Sequence, residues 1–167
     1  MLPEKSVGID YHQDSLQVCI IESTGRVVTN RRIRNDVEEL IRTVGLNAEG
    51  VVVAAEACNG SAALLDAVHN QTNWTVRLCH PGYAQRMRNN PDKTDKSDGE
   101  LIADLTRIGY LPEVYLAPPE IRDLRALVRY RALGMKEARA VKLRIRALLR
   151  NNRLSLPEGL SLWTVAG

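Results

Sequence analysis

The chain has 167 residues, 44% hydrophobic and 26% charged, with a formal net charge of +3; that is enough for one ordinary domain with a real core, or one domain plus an appendage. No apolar run approaches the length that spans a bilayer, and residues 1–5 lack the apolar stretch of a signal peptide, so membrane-spanning and secreted classes are set aside. Aromatic residues make up 4% and Phe is absent, which argues against a base-stacking platform for single strands, and Cys19, Cys58 and Cys79 have no metal spacing and read as buried free thiols in a reducing cytoplasm.

In chain order, residues 6–10, 16–21 and 26–33 are short β-rich runs separated by turn residues, and they predict three strands joined as hairpins. Asn35 or Asp36 caps a predicted helix through Val37, Leu40, Ile41 and Val44, stopped by Gly45. Residues 50–56 form a continuous apolar run ending in Glu56, the pattern of a central strand buried on both faces. Gly60 and Ser61 open a second helix, and residues 74–79 predict a fifth strand ended by His80-Pro81-Gly82. Residues 83–92 are polar and Asn-rich and predict a loop with a short helix. The next helix starts near Asp95-Lys96-Ser97-Asp98, where Ser97 and Glu100 fit a capping box. The order βββαβαβα predicts an α/β sheet flanked by helices.

Leu116-Ala117-Pro118-Pro119 marks a boundary. Beyond it, Ile121, Leu124, Val128, Met135, Ala138, Ile145 and Leu149 recur at steps of three and four, as in a heptad seam. Arg131, Lys142 and Gly134 interrupt the pattern, which predicts a bent helix or two helices. Charge changes at the same boundary: residues 1–118 hold 12 Lys/Arg against 16 Asp/Glu, and residues 119–153 hold 11 against 3. An acidic body therefore carries a basic helical arm suited to a polyanion. Arg139, Lys142, Arg144, Arg146 and Arg150 on this arm are candidate nucleic-acid contacts, and a solvated coiled-coil face is the plainer alternative. Lys93 and Lys96, which flank the aspartates, are either phosphate contacts or solvated loop lysines.

Four acids stand out. Asp10 interrupts the first apolar run and Glu56 ends the buried fourth strand, where a carboxylate is costly unless hydrogen-bonded, paired or bound to metal. Asp95 and Asp98, three apart at a helix start, share one helical face and repel unless a cation sits between them. Neighbouring first and fourth strands would bring Asp10 and Glu56 out side by side, and a helix packed on the sheet would bring the aspartate pair over them. Four oxygen ligands suit Mg²⁺ or Mn²⁺, and two such ions about 3.5–4 Å apart would serve phosphodiester cleavage. Taken singly, capping, a turn and strand-end solvation explain the same residues. His12, two residues after Asp10, is a candidate proton carrier.

Val7-Gly8-Ile9-Asp10, the Ala55-Glu56 strand end and Lys93-Thr94-Asp95-Lys96-Ser97-Asp98 resemble, in order and spacing, the DEDD-type insertion-sequence transposases. These are also called bridge-RNA-guided recombinases and are related to the Piv-type DNA invertases. The resemblance implies that Asp10, Glu56, Asp95 and Asp98 are both catalytic acids and metal ligands, holding Mg²⁺ or Mn²⁺ as two ions. It also implies an RNase H-like, RuvC-like mixed sheet flanked by helices, followed by a basic coiled-coil-like arm. Expected domains are a catalytic domain over 1–117, a helical linker over 118–153 and a junction over 154–167 leading to a C-terminal transposase domain. Expected partners are DNA, a guide RNA and further copies of the chain joined through the arm, with no membrane, at a cytoplasmic, nucleoid-associated location. The chain departs from the family pattern after the first acid, where it has His12-Gln13, and after Glu56, where it has Ala57-Cys58-Asn59-Gly60. A free-standing junction-resolving nuclease and a non-catalytic nucleic-acid-binding or dimerisation module are the alternatives. An actin-like kinase is set aside, because Tyr11-His12-Gln13 offers no phosphate loop after the acid.

Overall fold

A computed structural model describes residues 3–46, 48–82, 94–156, 158 and 161–163. Their backbone divides into two units, Met1–Leu116 and Ala117–Gly167. The first contains β1 (Lys5–Tyr11), β2 (Ser15–Glu22), β3 (Val27–Arg34), α1 (Val37–Val44), β4 (Val51–Glu56), α2 (Ser61–Gln71), β5 (Thr75–Cys79), α3 (Asp95–Arg107) and β6 (Glu113–Val114). The six strands form one sheet in the order β3-β2-β1-β4-β5-β6. β1, β2 and β3 pair antiparallel; β4 joins β1 in parallel and β5 joins β4 in parallel. This is an α/β fold with a mixed sheet, consistent with the RNase H-like architecture that the family resemblance implied.

Strand alternation assigns the two faces. Val7 and Ile9 of β1, Leu16 and Val18 of β2, and Val53 and Ala55 of β4 pack with Leu40, Ile41 and Val44 of α1 and Leu64, Leu65 and Val68 of α2. Most of these side chains are fully buried, and each contributes on the order of 1.5–3 kcal/mol of apolar transfer. The intervening residues face α3: Ala54 and Cys79 pack with Ile102 and Leu105, and Cys19 and Ile21 pack with Ala103. On β1 the residue beneath α3 is Gly8, and a Cβ there would lie 2.4 Å from the Ala103 backbone nitrogen. The missing side chain lets the helix lie directly on the strand.

Several local expectations are corrected. The cap of α3 is Thr94, in extended conformation, and not Ser97; the Thr94 hydroxyl accepts from Ser97 N–H, and Ser97 Oγ accepts from Thr94 N–H at 3.0 Å. The capping box therefore lies one turn earlier than expected, which puts Asp95 and Asp98 inside the first turn, where the helix dipole favours acids. Cys19 and Cys79 are buried, but Cys58 is exposed, because it lies in the turn after β4 and not within a strand. The two-residue strand β6 was not anticipated. The loop expected over 83–92 lies outside the described residues.

The second unit is built on α4 (Pro119–Asn151), a single helix of 33 residues with Pro119 in its first turn and no buried residue. Gly134 does not interrupt it, so of the two expected forms, a bent helix or two helices, the division into two is corrected to one continuous helix. The seam positions Leu124, Val128 and Met135 are exposed along it. No helix among the described residues is long and apolar enough to cross a membrane.

Candidate metal centre

Asp10 ends the inward-facing run of β1 on the α3 side. Ile9 and Ala55 are paired across the parallel β1–β4 ladder, so Asp10 and Glu56 are the next residues on adjacent strands. The Glu56 carboxylate accepts the Gly82 N–H at 3.2 Å, in the turn that follows β5. From the opposite layer, α3 brings its acidic first turn over Asp10. Asn30 of β3 fixes this turn: its side-chain amide donates to the Lys96 carbonyl at 3.0 Å and to Glu100 at 3.3 Å, while its oxygen accepts from Gln17 at 2.7 Å.

His12 stands at the centre of the group. Its Nε2 is 3.1 Å from Asp10 Oδ2 and 3.4 Å from Asp95 Oδ2. Arg32 of β3 reaches the same Asp95 oxygen, with Nη2 at 3.1 Å. The Asp10 carboxyl is held above its ordinary pKa, first by burial and then by the nearby charges of Asp95 and Asp98, with His12 acting in the opposite direction. Crowding of this kind is what a divalent cation relieves, and the donors present, carboxylate oxygens with one imidazole, fit such an ion.

Of the four expected acids, Asp10, Asp95 and Asp98 converge electrostatically, and Glu56 occupies the neighbouring strand end with its carboxylate turned to Gly82. Arg32 and Asn30 were not singled out from sequence. The available signal was the alternation of Asn30, Arg32 and Arg34 on one face of β3, opposite the buried Ile33. Lys96 is exposed beside the aspartates, and Lys93 lies outside the described residues. On α4, Arg139, Lys142, Arg144, Arg146 and Arg150 are all exposed. Lys142 and Arg146 lie over the Trp163 ring, at 5.2 and 5.9 Å from its centroid, contacts worth on the order of 0.5–1 kcal/mol at an exposed site.

Residues 7–152 match the IS110-type DEDD family, described as transposase, and the chain belongs to that family. The transposase for insertion sequence element IS1111A of Coxiella burnetii is 26% identical over 155 residues, which are 93% of this chain and 41% of that protein. The chain thus spans less than half the length of this relative. Among solved structures, a ROK family transcriptional regulator, a homolog of the E. coli MLC protein, is 15% identical with a TM-score of 0.35, over 50% of this chain and 29% of that one. A similarity at that level carries no argument.

Proposed function

We propose that the first unit is the RNase H-like catalytic domain of a DNA transposase, cutting and rejoining DNA phosphodiesters with divalent metal. In this reading Asp10, Glu56, Asp95 and Asp98 hold Mg²⁺ or Mn²⁺ as a pair of ions. Bound there, such ions supply charge neutralisation at the phosphate and activation of the attacking hydroxyl. The protein's own part is to fix the acids. β1 and β4 hold two at adjacent strand ends, and α3 carries the other two on one rigid turn. Asn30 anchors that turn, and Arg32 restrains the Asp95 carboxylate until it is needed as a ligand. The observation that supports the proposal is the packing of α3 on β1 at Gly8, together with the His12 ring nitrogen standing 3.1 Å from Asp10 Oδ2 and 3.4 Å from Asp95 Oδ2.

The basic arm, α4, is the nucleic-acid-binding and self-association element in the same reading: its arginines meet the phosphate backbone and its apolar seam pairs with another copy as a coiled coil. A guide RNA is the additional partner. The domain limits follow as 1–117 catalytic, 118–153 arm and 154–167 junction. The test is thermal: Mg²⁺ or Mn²⁺ raises the melting midpoint of the chain, and Asp98→Asn removes the increment. Metal-independent DNA binding that is unchanged by Asp98→Asn, with no thermal response to either ion, would support a purely binding module instead.

A further inference from the structure

Among the described residues, one group of three side chains offers ligand atoms all within 4.8 Å of one another: an oxygen from Asp10, an oxygen from Asp95 and a ring nitrogen from His12. The nitrogen comes from a residue outside the four acids. Its separations from the two carboxylate oxygens are 3.1 and 3.4 Å. Adjacent ligands of an octahedral ion bound at about 2.1 Å stand about 3 Å apart, so the ring nitrogen stands from each carboxylate oxygen at about the separation of neighbouring ligands in one coordination shell.

The His12 backbone is tied down on both sides. Its N–H donates to the Ser15 carbonyl at 3.0 Å, and its carbonyl accepts from Asn35 Nδ2 at 3.0 Å. Asn35 Nδ2 also donates to the Gln13 carbonyl at 3.0 Å, which closes the turn between β1 and β2. The ring is thereby presented to the acids from a fixed turn, and little ordering remains to be done on binding.

We infer that His12 is a direct nitrogen ligand, so that Asp10, His12 and Asp95 form one face of a divalent-ion site that prefers Mn²⁺ to Mg²⁺. The inference rests on the proposal that the acids bind metal, and it concerns which residues complete the set and which ion they select. Mg²⁺ takes oxygen ligands and gains little from imidazole, whereas a first-row transition ion binds imidazole well. The nitrogen therefore raises Mn²⁺ affinity selectively, while Arg32, bound to the same Asp95 oxygen, gives way to the ion.

The experiment is pulsed electron paramagnetic resonance of Mn²⁺ bound to the 167-residue chain, alongside calorimetric titration with Mn²⁺ and with Mg²⁺. Wild-type protein is expected to show ¹⁴N modulation that converts to the ¹⁵N pattern when histidine is labelled with ¹⁵N. In His12→Gln the modulation disappears and Mn²⁺ affinity falls at least tenfold, with Mg²⁺ affinity changed less than threefold. Mn²⁺ bound without histidine nitrogen, or modulation that survives in His12→Gln, overturns the inference and leaves the acid site intact. Mn²⁺ and Mg²⁺ binding that is absent from wild type, or unchanged by Asp10→Asn, removes the metal site itself. The labelled wild-type spectrum needs no substitution, so a misfolded variant cannot rescue the inference.

Discussion

Gly8 of β1 and Gly99 of α3 meet backbone to backbone: a Cβ built on Gly8 would stand 2.1 Å from the Gly99 carbonyl oxygen. That contact sets the height of α3 above the sheet and so the distance from Asp95 and Asp98 to Asp10. Gly8→Ala forces two backbones apart and should cost about 3 kcal/mol or more, beyond the roughly 1–3 kcal/mol usual for overpacking. Chemical denaturation measures this. The control is Gly134→Ala on α4, where nothing lies within 4 Å of the added Cβ; it should be neutral or stabilising by up to about 1 kcal/mol.

Asp10 is a site residue whose charge weighs against the fold. Its carboxyl pKa is raised in the folded chain, by burial first, so its contribution to stability is present when protonated and lost as pH rises through the folded pKa. At neutral pH without metal, Asp10→Asn should therefore raise the melting midpoint. The same variant should gain nothing from Mn²⁺. Differential scanning fluorimetry with and without chelator reads both effects, and a lower midpoint in the metal-free variant would contradict the electrostatic origin of the shift.

Arg32 competes for a ligand atom. Its guanidinium lies on the Asp95 oxygen that His12 also faces, and a positive charge there opposes an incoming cation. Arg32→Gln should tighten Mn²⁺ binding by about threefold to tenfold, with stability changed by less than about 1 kcal/mol because the ion pair is exposed. Titration calorimetry decides; weaker binding in the variant would mean that Arg32 supports the site.

The fold was largely legible because its signals are local. Alternating and continuous apolar runs identified β1 to β5, and the expense of a carboxylate in such a run singled out Asp10 and Glu56. The start of α3 near Asp95 was legible, but its cap was assigned to Ser97 because Thr94 and Ser97 are both good caps, and the three-position step from Thr94 to Ser97 repeats from Ser97 to Glu100. β6 is too short to leave a periodicity. The Gly8–Gly99 approach could not be read, since a glycine in a strand has many causes, and Arg32 became visible only when β3 and α3 were seen to share a face. Cys58 was misjudged because it follows an apolar run without belonging to it.

The cysteines offer an independent check on the layers. Burial, with Glu100 and Asp104 nearby, pushes the Cys19 thiol up to about 12, and burial, with Glu56 nearby, pushes Cys79 up to about 11. Cys58 is exposed. At pH 8 a chromogenic disulfide reagent should titrate one thiol within minutes and the other two only on unfolding. Rapid reaction of all three thiols would contradict the packing of α3 and the β-sheet.

The arm makes a salt prediction. If Arg139, Arg144 and Arg146 each neutralise a phosphate, changing all three to Ala should flatten the slope of log K against log salt by about three. Fluorescence anisotropy with a DNA duplex at several salt concentrations measures it. An unchanged slope would move the nucleic-acid contact elsewhere.

The central claim is that folding gathers the acids of β1, β4 and α3 into one site for divalent ions. Anomalous diffraction from crystals soaked in Mn²⁺ tests it most directly. The predicted result is Mn²⁺ density bound by Asp10 together with Asp95 or Asp98, on the Glu56 side of the sheet. No Mn²⁺ between these carboxylates at millimolar concentration, in crystals where the site is open to solvent, would contradict it.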